Sequence, residues 1–224
     1  MLSIISTPIG NLKDITLRAL ECLKVCDAIV CEDTRVTGHL LKLLELPKKE
    51  LISCHGYTDQ GKIDLIVRRL AAGEHFSLVS DAGTPGISDP GYAIVNETQN
   101  RGLQIEVLPG PSAFLAALSG SGLPINQFTY LGFLPIKKGR KTLLETFKNE
   151  ERTIVFYESP HRIEKTLHEL AELLVDQPER SIVIARELTK MHEEMIQTTI
   201  GALKGTAETL TIKGEFVIVL GPKE

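Results

Sequence analysis

Phe76-Ser77-Leu78-Val79-Ser80-Asp81-Ala82-Gly83-Thr84-Pro85-Gly86-Ile87-Ser88-Asp89-Pro90-Gly91 joins a short apolar run to a loop dominated by Ser, Asp, Gly, Thr and Pro. The run over 76–80 has the length of a buried strand, and the residues after it have no helical spacing. Glycine permits close backbone approach, and proline fixes the turn before any ligand arrives. Open α/β sheets bind ligands with such loops, at the carboxyl ends of their strands. Ser6-Thr7-Pro8-Ile9-Gly10-Asn11-Leu12 and Pro109-Gly110-Pro111-Ser112-Ala113 repeat the pattern behind apolar runs of their own. One such loop is usually a tight turn; three at successive strand ends point to a binding edge.

Working outward, strands are expected at 3–6, 28–31, 51–54, 76–80 and 104–108, with amphipathic segments between them. Asp14 or Thr16 can cap a helix carrying Leu17, Leu20 and Leu23, and Thr37 precedes another with Leu40, Leu41, Leu43 and Leu44. A third runs through Ile63, Ile66, Val67 and Leu70 and stops at Gly73. This βα alternation predicts a mainly parallel sheet. A short helix over 112–119 precedes Gly120-Ser121-Gly122-Leu123-Pro124, which breaks the pattern and marks a domain boundary. Beyond it, strands at 128–133, 153–157, 181–185 and 215–220 with a helix at 162–174 predict a mixed sheet. The expected fold is therefore α/β with two domains, 1–119 and 124–224.

With 224 residues, 42% hydrophobic and 24% charged, the chain suits a globular protein and neither a disordered tail nor a coiled coil. No apolar run nears the roughly 18 residues of a membrane span. Met1-Leu2-Ser3-Ile4-Ile5-Ser6-Thr7-Pro8 reads as a strand entering a turn, not as a targeting segment, so a cytoplasmic, membrane-free protein is expected. Cys22, Cys26, Cys31 and Cys54 form no C-x-x-C pair and no zinc-like spacing, so reduced buried thiols and no metal are expected. Neither a G-x-G-x-x-G nor a P-loop sequence is present. A net charge of −4 argues against wholesale coating of nucleic acid but leaves room for a local basic patch. Lys137-Lys138-Gly139-Arg140-Lys141 supplies one, readable either as a solvated helix start or as an RNA contact.

Two charged blocks accompany the loops, Cys31-Glu32-Asp33-Thr34-Arg35 and Tyr157-Glu158-Ser159-Pro160-His161-Arg162. Arg in either place could hold a phosphate, and Glu or His could orient a hydroxyl. Asp33 and Arg35 read equally well as an ion pair, and Ser159 or Pro160 as a helix opener.

Together with Thr7 to Leu12, Ser80 to Gly91, Pro109 to Ala113, Gly132-Phe133-Leu134-Pro135, Arg186-Glu187-Leu188-Thr189-Lys190 and Lys213-Gly214-Glu215, these blocks resemble the ribosomal RNA small subunit methyltransferase I family of the tetrapyrrole-methylase superfamily. The resemblance runs in order over nearly the whole chain. It implies 2′-O-methylation of a cytidine ribose in small-subunit (16S) ribosomal RNA with S-adenosylmethionine, two α/β domains with the cofactor in a cleft between them, and a homodimer. Carried over residue by residue, Pro8, Asp81, Gly83, Ile87, Ser112, Ala113, Tyr157 and Leu188 would hold the cofactor. Glu158, His161 and Asp33 are the candidate bases for the ribose hydroxyl. Arg35, Arg162, Lys137, Lys138 and Arg140 are the candidate contacts to RNA, free or in the assembled small subunit. The stretch His55-Gly56-Tyr57-Thr58-Asp59-Gln60 departs from the family pattern, and the chain ends shortly after 216–220 where many members continue. Methylation of a tetrapyrrole or a protein acceptor on the same scaffold, or a non-catalytic cofactor-binding module, are the competing readings.

Overall fold

The computed structural model describes residues 1–54, 60–87 and 91–223, and the chain falls into two compact units, Met1–Ser112 and Ala113–Glu224. The stretch 55–59 and the end of the Ser80 loop at 88–90 lie outside the described residues.

The first unit alternates strand and helix: β1 (Leu2–Ile5), α1 (Leu17–Val25), β2 (Ala28–Cys31), α2 (Thr34–Leu43), β3 (Glu50–Ser53), α3 (Gln60–Ala71), β4 (Phe76–Leu78), α4 (Tyr92–Asn100) and β5 (Ile105–Leu108). Its strands pair in the order β3-β2-β4-β1-β5, all parallel. All four residues of β2 are buried, so it reads as a continuous apolar run, as strands covered on both faces do. Ala19, Cys22 and Leu23 of α1 and Leu41 of α2 pack with Ile5, Ile29 and Cys31. Ile63, Ile66, Val67 and Leu70 of α3 and Ile94 of α4 pack with Leu2, Ala28, Val30, Phe76 and Leu78 on the other face. Consequently the helix after β4 leaves on the face opposite to the helices after β1 and β2, its two neighbours. The carboxyl end of β4 is thus a topological switch point, where such sheets open a crevice for ligands.

Local chemistry explains the helix limits. Thr16, rather than Asp14, caps α1, its hydroxyl accepting the Ala19 N–H at 3.1 Å. Helix α2 starts at Thr34, ahead of the position suggested by Thr37, because Asp33 caps it. Gly73 takes a φ of +100° after α3, the left-handed close that only glycine adopts freely. Helix α4 has no counterpart in the sequence reading: its Gly91 cap makes no side-chain bond, and its buried residues are only Ile94 and Thr98.

The second unit holds α5 (Ala113–Gly120), β6 (Phe128–Phe133), α6 (Arg140–Thr146), β7 (Thr153–Glu158), α7 (Ile163–Leu173), β8 (Ser181–Arg186), β9 (Glu194–Thr199), α8 (Leu203–Thr209) and β10 (Phe216–Leu220). Its sheet order is β6-β7-β10-β8-β9, with β6 and β7 parallel and every other pair antiparallel. The mixed sheet matches the expectation. Helices α6, α7 and α8 cover one face through Leu144, Ile163, Leu167, Leu170, Leu203 and Ala207. Helix α5 packs on β7 and β10. That packing moves the division of the chain to Ser112/Ala113, ahead of the 120–124 segment read as the boundary. The edge strand β9 and helix α8 went unanticipated, since β9 is nowhere fully buried and lacks clean alternation.

All four cysteines are buried and unpaired. Among the described residues no helix is long and apolar enough to cross a membrane, and no group of three or more His, Cys, Asp or Glu is placed to hold a metal ion.

Candidate functional site

In a parallel sheet the loops after neighbouring strands emerge side by side, and here those after β4, β1 and β5 are fastened to one another. Thr7 and Gly83 exchange both backbone bonds, at 2.9 and 3.0 Å. The Thr7 hydroxyl donates to the Ser80 carbonyl at 3.1 Å, and the Ser6 and Thr84 hydroxyls lie 2.9 Å apart. Thr84 also donates to the Pro111 carbonyl at 3.0 Å. Two glycines are required here, Gly83 by its left-handed backbone and Gly110 by close approach. Gly83 has a φ of +81° and would place a Cβ 3.4 Å from Ile9, while a Cβ on Gly110 would come within 2.8 Å of Ser6 Cβ. The hydroxyls of Ser6, Thr7 and Thr84 went unassigned in the sequence, although their place inside the Gly/Pro loops was the available signal.

Asp81 joins the loop after β2 to this assembly, its Oδ1 accepting the Asp33 N–H at 3.2 Å. Its carboxylate is only partly covered, so it retains acceptor capacity at the edge of the sheet. Ile87, further along the same loop, is exposed, and Pro8 and Ser112 are half-buried. A rigid edge that offers glycine-permitted close approach and one carboxylate suits a small molecule bearing hydroxyls and an apolar portion.

Asp33 itself is committed. Its carboxylate accepts the Arg35 N–H at 2.8 Å and the Arg35 guanidinium at 2.6 Å. The guanidinium hydrogen bonds, followed by the Arg35 backbone N–H, hold the carboxyl down at about 2. A carboxylate so stabilised is a weak proton acceptor. The Arg35 side chain is 89% exposed and keeps donors for an outside anion.

In the second unit the 158–162 block is built on a buried carboxylate. Glu158 is 2% exposed, and its oxygens take the Ser159 N–H at 2.8 Å, the Arg162 guanidinium at 2.8 Å, the Thr166 hydroxyl at 2.7 Å and, more distantly, Arg140 at 3.8 Å. Arg162 also donates to the Leu134 carbonyl at 2.9 Å. The position of Arg140 corrects its reading as part of a surface patch. It is 7% exposed, and it donates to the Glu169 carboxylate at 2.7 Å, the Thr166 hydroxyl at 2.8 Å and the Pro135 carbonyl at 3.2 Å. The left-handed Gly139 just before it turns the chain so that Arg140 points inward while Lys137, Lys138 and Lys141 stay exposed. His161 is exposed at the turn and makes no hydrogen bond among the described residues.

Ala113 opens α5, and Tyr157 is half-buried with its ring 5.8 Å from Tyr130 and 5.3 Å from Phe133. Leu188 is buried between Glu187 and Thr189, whose φ values of 50° and 66° are left-handed without being glycine. Each such residue costs about 1–2 kcal/mol unless its surroundings hold it. Glu187 is held by Lys190 at 2.8 Å and by the Glu215 N–H at 3.0 Å. A Cβ on Gly214 would run into the Glu187 carboxyl, which is why the 213–215 block carries glycine there.

The family model for Tetrapyrrole (Corrin/Porphyrin) Methylases matches residues 1–204. A protein of Thermotoga maritima named "Ribosomal RNA small subunit methyltransferase I" is 43% identical over 223 residues, covering 100% of this chain and 99% of its own. The chain belongs to the ribosomal RNA small subunit methyltransferase I family, within the tetrapyrrole methylases. Family members of the same name from Escherichia coli O157:H7 and Bacillus subtilis are each 43% identical, over 98% of this chain and 77% and 74% of their own. The family fold is equally plain in solved structures. A diphthine synthase superposes with a TM-score of 0.70 at 13% identity, covering 98% of this chain and 89% of the other. A uroporphyrin-III C-methyl transferase from Thermus thermophilus complexed with S-adenyl homocysteine gives 0.65 at 18% identity, covering 98% and 96%.

Proposed function

We propose that this chain transfers the methyl group of S-adenosylmethionine to the 2′-hydroxyl of a cytidine in small-subunit ribosomal RNA. The observation that carries the reading is the cross-bonded edge at the switch point, with Asp81 partly open on it, in a chain that shares full-length identity with proteins named ribosomal RNA small subunit methyltransferase I. S-adenosylmethionine, when bound, supplies an electrophilic methyl group. The protein's part is chiefly positioning, since aligning two reactants replaces an encounter in solution. Asp81 would accept hydrogen bonds from the cofactor's hydroxyls, Gly83 and Gly110 would let it approach the backbone, and Pro8, Ile87 and Ser112 would complete its surroundings on the first unit.

Among the three candidate bases the chemistry favours His161. Glu158 is buried with both oxygens engaged, and Asp33 is held by Arg35, whereas His161 is exposed and uncommitted among the described residues. Glu158 is then a positioning residue that fixes the turn bearing His161. Lys137, Lys138 and Arg35 would meet RNA phosphates, while Arg140 and Arg162 brace the segment that carries the two lysines. A cytoplasmic homodimer completes the proposal.

The test is incubation of the protein with methyl-labelled S-adenosylmethionine and small ribosomal subunits from a strain lacking the activity, beside a porphyrinoid precursor. Label in the RNA is expected. Label in the porphyrinoid and none in RNA overturns the assignment.

A further inference from the structure

Helices α6 and α7 leave between them an open groove of about 630 Å³, lined by Lys137, Lys141, Lys148 and Lys165 with Ile136 and Leu173 as apolar surface. Its charges do not cancel. Of the carboxylates that line it, Glu169 is taken by Arg140 at 2.7 Å and Lys165 at 3.7 Å, Glu145 by Lys148 at 3.0 Å, and Glu172 by Lys204 at 3.8 Å. Lys137, Lys141 and the adjacent Lys138 have no carboxylate within ion-pair distance among the described residues. An excess of positive charge therefore sits along one rim, on a chain whose net charge is −4.

The rim is also rigid. Arg140 is buried beneath it and bonded to the Pro135 carbonyl, and Arg162 holds the Leu134 carbonyl, so the segment carrying Lys137 and Lys138 is tied at its root to the 158–162 turn. A docking surface already ordered loses less conformational entropy on binding. Unpaired ammonium groups beside exposed aliphatic surface (Ile136 is 72% exposed) match a chain of phosphates and riboses.

We infer that the α6–α7 groove binds the phosphodiester backbone of the ribosomal RNA substrate. This rests on the RNA reading above and extends the contact to Lys141, which has no carboxylate partner among the described residues, and to Lys165, whose 3.7 Å contact to Glu169 is the longer of the two that carboxylate makes.

The double variant Lys141→Ala/Lys165→Ala tests it in the full chain. Affinity for protein-free small-subunit RNA is measured by fluorescence anisotropy from about 50 to about 200 mM salt, and KM is measured with assembled subunits. The expected result is RNA affinity weaker by roughly tenfold, a slope of log affinity against log salt shallower by about 1.4 for two lost phosphate contacts, and a raised KM. Lys141→Arg/Lys165→Arg should restore all three, and calorimetric affinity for S-adenosylmethionine should be unaltered in both variants. Unchanged RNA affinity and slope overturn the inference. If KM with subunits rises while affinity for protein-free RNA stays put, the inference also falls, and the groove belongs to an acidic segment of a ribosomal protein. A wild-type chain that methylates no RNA would instead defeat the reading beneath it.

Discussion

Glu158→Ala separates a structural carboxylate from a catalytic one. The carboxylate is 2% exposed and faces Arg162 at 2.8 Å and Arg140 at 3.8 Å, besides the Thr166 hydroxyl and the Ser159 N–H. Removing one member of a buried ion pair costs about 3–5 kcal/mol, because the remaining charge is left unmatched out of water. Two features soften the loss. Arg140 keeps Glu169 at 2.7 Å, and the Arg162 side chain is 22% exposed, so water can reach it. The expected loss is therefore at the lower end, about 3 kcal/mol, or a melting temperature lower by roughly 6–12 °C. Glu158→Gln keeps the shape and an acceptor for Thr166 and should lose about half as much. Urea denaturation followed by circular dichroism reads both, with the slope against denaturant unchanged. A loss below about 1 kcal/mol for alanine would refute the claim that this carboxylate anchors the turn. A fully stable Glu158→Gln variant with no methyl transfer at any pH would return Glu158 to the role of base.

Asp81→Ala should weaken S-adenosylmethionine binding by about 10- to 100-fold, the worth of a hydrogen bond to a charged group, with RNA affinity unaltered; a folded variant that binds the cofactor as before would contradict this. The Asp33 carboxyl, followed by NMR, should titrate at about 2. Because its pKa is depressed in the folded chain, the Asp33–Arg35 contribution is full above the unfolded value of about 3.9 and disappears only as pH falls through the folded value. A midpoint near the ordinary carboxyl value would show that the contact does not persist in solution. Gly214→Ala combines a φ of +91° with overlap on the Glu187 carboxyl. A destabilisation above roughly 2 kcal/mol is expected by thermal melting, and a neutral effect would mean that the 187–190 turn yields.

The sequence was most legible where burial is complete. Residues 28–31, all four buried, match β2 in full, and the Gly/Pro loops stand at strand ends as read. It was least legible where tertiary packing overrides local pattern. Helix α5 sides with the second unit because Phe114, Ala117 and Leu118 are buried there, a fact the glycines of 120–124 conceal. Strand β9 is an edge, pairing on one side only, and nothing in Glu194-Met195-Ile196-Gln197-Thr198-Thr199 alternates strongly enough to announce it. At the site, Asp33, Glu158 and His161 look alike as candidate bases in one dimension. What distinguishes them is burial and partners, which spacing does not carry. Arg140 is the sharpest case, since the same five residues that suggest a basic surface hide one of their four charges inside the fold.

The central claim is a ribose as acceptor. A 2′-O-methyl group leaves no free hydroxyl to attack the neighbouring phosphate, so the linkage survives alkali. Small-subunit RNA methylated by the protein with labelled S-adenosylmethionine should, after alkaline digestion, yield its label in an alkali-resistant dinucleotide containing 2′-O-methylcytidine. Label released wholly in single nucleotides, on a base, would contradict the account.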